Sequence, residues 1–422
     1  MKIKTLRIIL EYLLVVCIIL EFNTVYGALP IFKRMVQILP AAILLGLIMM
    51  TPQKLSKKMG FCVILYFMGA IFPMLNIKSD AYISYIKTYV VILPLLWIYL
   101  SQRKQVDESA YFSLFLKYSN VMTMLAAISV VMWALCSVLQ VIPMTGLFPY
   151  AWGEENISFI PSYYNIYFET QTINLFGSPF MRNSGIFCEG PMYNMTLCVA
   201  LTIEYFMRPI RSRRKIIILT IAILSTLTTT GQLFLLALLA WHVLRKITGR
   251  YRLLILVMAP LVIIGVYVLT NTIMDFKSDS GGDGSVDSRM WDIMNCIDAG
   301  IKNPLFGVGI AQREDVVIWR GSQLGYSNSL FAIFARGGIY VLALYLISLL
   351  IIPVLHYRKF KQGNWMMAMI CYLGLFTITV CYMQYLTLLF MALGVSNIDL
   401  AKWKKNPSSQ MLLDRHVYVN KY

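Results

Sequence analysis

Ile216 to Leu244 reads IIILTIAILSTLTTTGQLFLLALLAWHVL, a nearly unbroken apolar run of 29 residues. A bilayer's hydrocarbon core is about 30 Å thick, and a helix rising 1.5 Å per residue crosses it in about 20 residues. The run is therefore long for one crossing and short for two. Arg211, Arg213, Arg214 and Lys215 precede it, and Arg245, Lys246, Arg250 and Arg252 follow it. Cationic flanks stay on the cytoplasmic side, so a segment with both ends basic has turned back on itself. The run predicts a short helical hairpin over 216–244, turning near Thr228-Thr229-Thr230-Gly231. Arms of about 14 residues reach only about 21 Å. The turn is then expected below the outer surface, where its backbone needs protein partners or a cavity.

The same pattern extends in both directions. The 422-residue chain is 59% hydrophobic and only 14% charged, with a mean hydropathy of +0.68. That balance excludes a soluble domain of this size. Further apolar runs lie near Leu6 to Phe22, Met35 to Met50, Phe61 to Leu75, Tyr82 to Leu100, Val121 to Ile142 and Met192 to Met207. Others follow at Leu253 to Ile273, Ile339 to Leu355, Met366 to Val380 and Tyr382 to Val395. With the hairpin counted as two, the expectation is an all-α polytopic membrane protein of about 12 transmembrane helices, one integral membrane domain over 1–422. Lys54, Lys57, Lys58, Arg103, Lys104, Arg358, Lys359, Lys361 and the tail from Lys402 to Lys405 fall inside, which makes both termini cytoplasmic. Met1 to Lys4 before an apolar run reads as a retained signal anchor, because no A-x-A-like cleavage site follows. The formal charge of +17 belongs to the cytoplasmic face. It suits anionic membrane lipids and does not indicate nucleic acid.

Two outer connections are long, 143–190 and 275–335. Glu154, Glu155, Glu169 and Glu189 stand against Arg182 alone in the first. Its Phe148, Tyr150, Trp152, Phe159, Tyr163, Tyr164, Tyr167 and Phe168 can stack on sugars or anchor the loop at the membrane interface. The second loop opens with a glycine-rich stretch, Lys277 to Asp287, that reads as a hinge or lid, since the spacing of a calcium loop is missing. Met290, Ile293, Met294, Ile297 and Ile301 then recur at helical spacing, predicting an amphipathic surface helix from Ser288 to Lys302. Pro304 ends it, and Gly307 and Gly309 supply backbone freedom. Cys188 and Cys296 are the two loop cysteines and can pair, though neither count nor spacing demands it. No metal motif occurs, and His242, His356 and His416 all fall on the cytoplasmic side, so an outer site has no histidine.

Arginine at a membrane edge is costly unless it is paired or binds an anion. One such arginine opens Arg182-Asn-Ser-Gly185-Ile-Phe187-Cys-Glu189-Gly190-Pro191; another stands in Arg289-Met-Trp291, ahead of Pro304-Leu-Phe306-Gly307-Val-Gly309. Asn328-Ser329-Leu330 and Arg336-Gly337-Gly338 open the next span. The pattern R-x-x-G-x-F-x-E-x-P, then R-x-W and P-L-F-G-V-G, resembles the O-antigen and capsule polymerase/ligase superfamily. The Ser/Thr-Gly turn of the hairpin resembles it too. The likeness covers about Arg182 to Leu355; the amino-terminal third matches only as generic helices.

The resemblance implies a metal-independent glycosyltransferase without a cofactor in the bacterial cytoplasmic membrane, with its active site on the outer face. Such enzymes move a glycan from undecaprenyl diphosphate to an acceptor. Ligases use lipid A core as that acceptor, and polymerases use another lipid-linked repeat unit. The implied partners are an undecaprenyl-diphosphate-linked oligosaccharide, membrane lipids, a chain-length regulator and a flippase. Ligases carry a histidine where Ser327 stands here, which favours the repeat-unit polymerase and leaves the base open. On this reading Arg182 and Arg289 clamp the diphosphate, and Glu189 takes the proton of the attacking hydroxyl. Arg320, Arg336, Asn328, Gly307, Gly309, Thr230 and Trp291 contribute to substrate binding. Ordinary alternatives stand beside these roles. Arg289 can pair with Asp287 or Asp292, Arg336 can snorkel, Glu189 can orient Arg182, and the turn hydroxyls can satisfy backbone. A twelve-helix flippase is the rival class, but it should show internal repeats, and none is evident.

Overall fold

The computed structural model describes residues 3–51, 57–74, 82–106, 108–150, 158–175, 178–246, 283–310, 318–319, 322–323, 328–360 and 363–397. The expected span from Leu253 to Ile273 lies outside the described residues. So do Trp152, Glu154, Glu155, most of the glycine-rich stretch, Arg313, Arg320, Ser327 and the basic tail.

Helices dominate, as expected of a membrane protein. Pro30–Met49, Tyr82–Val106, Ser113–Val138 and Ser329–Lys359 are long and apolar enough to cross a bilayer. Met59–Met74, Thr229–Val243, Asn364–Ile378 and Tyr385–Val395 are shorter apolar helices. These elements do not by themselves establish a count of twelve. The run 216–244 is broken at Thr226, Leu227 and Thr228 into helices Arg213–Ser225 and Thr229–Lys246. The break uses a non-glycine residue at positive φ, Leu227 at 51°. The first arm has 13 residues, about 20 Å of rise.

Tyr385–Val395 is only 11 residues long, yet every residue from Tyr385 to Gly394 is buried. It belongs to the buried core of the helices. Tyr372 stacks on Phe390 with 3.8 Å between ring centroids. Gly394 lets the Ser348 carbonyl approach, since a Cβ there would sit 1.7 Å from that oxygen.

Charges within the bundle are answered locally. Glu11 is 1% exposed and accepts hydrogen bonds from Tyr99, Lys117 and Ser113, the last at 2.7 Å. Arg103 Nε stands 3.7 Å away. Glu204 takes Arg208 Nε at 2.5 Å, Ser119 Oγ at 3.2 Å and the Ser212 amide at 3.0 Å. Truncating one partner of such a group leaves the others buried and uncompensated, which costs about 3–5 kcal/mol. Glu11→Ala is therefore expected to lower the thermal transition of the purified protein by many degrees. A shift within the error of the wild type would show that Lys117 and Arg103 find other partners.

The first outer loop departs from an all-helical reading. Gly146–Tyr150 pairs antiparallel with Ser158–Tyr163, with Gly146 opposite Ser162, and Ser158–Tyr163 pairs in turn with Tyr167–Phe168. Thr172–Leu175 and Ser178–Met181 form a separate hairpin. Its aromatics pack on one another: Phe148 lies 5.0 Å from Phe168, and Tyr26 meets both edge-on. Most face inward, but Phe159 and Tyr164 are exposed. The aromatics favour a pleated surface, and Pro149, Pro161 and Pro179 are costly in a helix interior. Cys188 and Cys296 are both free thiols, and both are buried.

Candidate active site

Arg182 ends the second β-hairpin, and its amide donates to the Gln171 carbonyl across the pair at 3.1 Å. The chain then enters a tight turn. Gly185 adopts φ of 57°, and a Cβ there would press to 3.2 Å on the Tyr193 ring. Phe187 stacks on Tyr193 at 5.1 Å. Glu189 is the N-cap of helix Gly190–Thr202, with extended backbone and a proline in the first turn. A carboxylate suits that position, where the helix dipole is positive.

This segment closes over the turn of the 216–244 hairpin. The Asn183 amide donates to the Ser225 carbonyl at 3.2 Å. Its side-chain Nδ2 donates to Ser225 Oγ at 2.9 Å. Arg182 Nη2 donates to the Leu227 carbonyl at 3.1 Å, and Nη1 donates to Gln171 Oε1 at 3.0 Å. Thr226 and Thr228 are buried; Thr228 Oγ1 accepts the Gly231 amide at 3.3 Å. The hydroxyls thus satisfy helix-end backbone. Thr230 stands in the first turn of the second arm, beside Gly231. A Cβ on Gly231 would lie 2.2 Å from Asn194 Oδ1, so that glycine allows the arm to pack on helix Gly190–Thr202.

Arg182 is 7% exposed, and its Nε makes no hydrogen bond among the described residues. A guanidinium has five N–H donors, and two bonds are formed here. Burial pulls its pKa below the ordinary value, Glu189 opposes the shift, and Arg289 adds to it. Glu189 and Arg289 therefore each lie within electrostatic reach of Arg182. Two guanidiniums and one carboxylate leave net positive charge around Arg182, and because Arg182 itself is buried, an anion bound to it gains more than one in open water. Burial and Glu189 together push the Cys188 thiol up to about 12, so it is a neutral thiol at neutral pH and no nucleophile.

Arg289 and Trp291 are exposed on helix Asp283–Lys302, as are Met290, Met294 and Ile301. The opposite face buries Asn295, Cys296 and Ala299. Gly300 admits the Phe334 ring, which a Cβ would meet at 2.4 Å. This loop helix is thereby fixed to helix Ser329–Leu346, whose N-cap Asn328 accepts the Phe331 amide at 2.8 Å.

Helix Ser329–Leu346 is broken at Gly338, which has φ of 60° and ψ of −166°. The break frees carbonyls before it and amides after it, and Pro304 to Gly309 meets them. The Val308 and Gly309 amides donate to the Ala335 and Arg336 carbonyls, both at 2.9 Å. The Ile339 and Tyr340 amides donate to the Pro304 and Leu305 carbonyls at 2.7 and 3.2 Å. Gly307 adopts φ of 66°, and a Cβ on it would sit 2.3 Å from the Arg336 carbonyl carbon. The P-L-F-G-V-G segment is a backbone splint, and close approach accounts for Gly307. Arg336 sits in this joint at 2% exposure, within electrostatic reach of Cys296 and Tyr89.

The structure sets Glu189 and Arg289 within electrostatic reach of Arg182, and separately Arg336 beside Gly307 and Gly309. Arg320 lies outside the described residues. Gln171 holds the Arg182 fork and has no sequence signal, because the link is made by strand pairing across a loop.

Residues 216–346 match the family model described as O-Antigen ligase (Wzy_C). No curated protein and no solved structure matches the chain significantly. The matched stretch holds the hairpin, the loop helix and the splint, but not Arg182 or Glu189. The resemblance to the O-antigen polymerase/ligase superfamily is shown in that region.

Proposed function

We propose that this membrane protein, with its O-antigen ligase-type region, is a polysaccharide polymerase. It transfers a growing glycan from undecaprenyl diphosphate to a lipid-linked repeat unit on the outer face of the cytoplasmic membrane. The observation that carries this reading is the buried Arg182, whose Nε has no hydrogen-bond partner among the described residues and which Arg289 reaches electrostatically. In this reaction the acceptor hydroxyl bonds to the donor's anomeric carbon, whose bond to the diphosphate oxygen breaks. Negative charge accumulates on the leaving diphosphate. Arginine is suited to it, because its planar fork remains charged and bonds two oxygens at once. The hydroxyl proton passes to Glu189, the carboxylate coupled to Arg182. The adjacent thiol is held neutral and offers no competing nucleophile.

The description of the matched family favours a second reading, in which the glycan is placed on lipid A core. Purified full-length protein in liposomes, supplied with a defined lipid-linked repeat unit and a chelator, separates the two. A ladder of products without added core is the expected result. Transfer only when lipid A core is supplied supports the ligase reading, and no transfer with either acceptor rejects both.

A further inference from the structure

The amino-terminal third carries a second cationic centre at the same end of the bundle. Thr24 forms a β-bridge with Phe187, and the Cys188 amide donates to the Asn23 carbonyl at 2.9 Å. The end of the first helix, Ile3–Glu21, is thus tied to the turn that leads from Arg182 to Glu189. Glu21 accepts the Tyr385 amide at 2.9 Å. Gln384, with its amide nitrogen turned toward the acceptors, donates to the same carboxylate at 2.7 Å. Lys87 Nζ lies over the Tyr385 ring, 5.7 Å from its centroid, and feels both Glu21 and Lys33. Among the described residues its ammonium makes no hydrogen bond and no ion pair within 4 Å. Lys33 and Arg34 are exposed in the first turns of helix Pro30–Met49. If Arg182 is outside, so are these three cations, against the positive-inside tendency.

We infer that Lys87 and Lys33 form a second diphosphate-binding centre, which holds the acceptor's undecaprenyl diphosphate while Arg182 and Arg289 hold the donor's. The inference rests on the polymerase reading, because only that reaction brings two lipid diphosphates to one enzyme. Each centre sets cations within electrostatic reach of one carboxylate, Lys87 of Glu21 and Arg182 of Glu189. The Thr24–Phe187 bridge joins the two. Lys87 stands about one turn into the candidate span Tyr82–Val106, a place near a helix end that suits a lipid's phosphate better than an extended glycan. Ammonium is a compact point charge that holds phosphate without the fork geometry needed at the leaving group. The acceptor's diphosphate does not react, so a point charge is sufficient there.

The test measures how many undecaprenyl diphosphate molecules bind full-length protein in phosphatidylcholine nanodiscs. Wild type is expected to bind two. R182A and the double variant K33M/K87M are each expected to bind one. K33M alone, on an exposed side chain remote from the core, should weaken the second molecule about fivefold, which keeps the test decisive if the double variant does not fold. Two molecules bound by the lysine variants with wild-type affinity overturn the inference. So does displacement of the lysine-dependent molecule by equimolar phosphatidylglycerol, which marks a general anionic-lipid patch. Equal binding of inorganic diphosphate there overturns it too, as a free-anion site. One molecule in wild type, lost only in R182A, sinks the second centre and leaves the polymerase standing. No molecule in wild type removes the polymerase reading itself.

Discussion

Arg182→Ala is expected to slow polymerisation about 10²–10³-fold, the loss typical when one preorganised donor to developing negative charge is removed. Its structural cost is smaller. The Leu227 carbonyl and Gln171 Oε1 each lose a partner, which amounts to about 1–3 kcal/mol for each buried group left unpaired. Rate and stability therefore separate. Arg182→Lys retains the charge but can neither bridge Gln171 and Leu227 nor present a second donor, so it should recover stability better than rate. The check is turnover of purified variants on the lipid-linked repeat unit, alongside thermal unfolding of the same samples. Turnover that falls only in proportion to the folded fraction would make Arg182 a structural residue of the hairpin turn.

Gly338→Ala is expected to have the largest effect on the fold. The position needs φ of 60° with ψ of −166°, a region that only glycine occupies at low cost. Forcing another residue there costs about 1–3 kcal/mol. The new Cβ would also sit 2.5 Å from the Leu305 carbonyl carbon. That contact is with backbone and cannot be relieved by a rotamer. Relief requires the splint to move away, and its four backbone bonds are worth about 1 kcal/mol each. The total loss is about 5 kcal/mol. Because the splint and the loop helix dock together on helix Ser329–Leu346, Arg289 and Arg336 should lose their positions as well. Gly374→Ala is the control, since a Cβ there meets nothing within 4 Å, and it should change stability by less than about 1 kcal/mol. Similar unfolding temperatures for the two variants would rule out the splint as a load on the fold.

These two cases differ in what local sequence carries. The hairpin break at Thr226–Thr228 was legible because it depends on distance and charge along one segment: a run too long for one crossing, with basic residues at both ends. The loop helix was legible from spacing, and its observed start at Asp283 lies five residues before the predicted Ser288, in a stretch with glycine and only Val286 as an apolar position. The arginine-bearing motifs stood out because charge is rare in so apolar a chain. The sheet in the first outer loop was not legible, since its strands are short and their aromatics read equally well as interface anchors. In the sequence, Gly307 signals only backbone freedom. Its partner, Arg336, is 29 positions away, and nothing in the local sequence announces a broken helix in need of repair.

Hydropathy and the distribution of lysine and arginine along the chain determined the class of this protein, a helical membrane protein with two large connections. They also singled out Arg182 and Arg289. Those properties are sums over neighbouring residues, which water and lipid read independently of the rest of the fold. Only the tertiary structure decided that Arg182 lies under the hairpin turn, with an Nε that no described residue satisfies. It likewise decided that a glycine segment mends a broken helix, and that Lys87 and Glu21 join the neighbourhood of Glu189. Each of these results from a buried polar group that must find its partner wherever the packing brings one, across tens to hundreds of residues. Such a partner has no signature in the residues beside it.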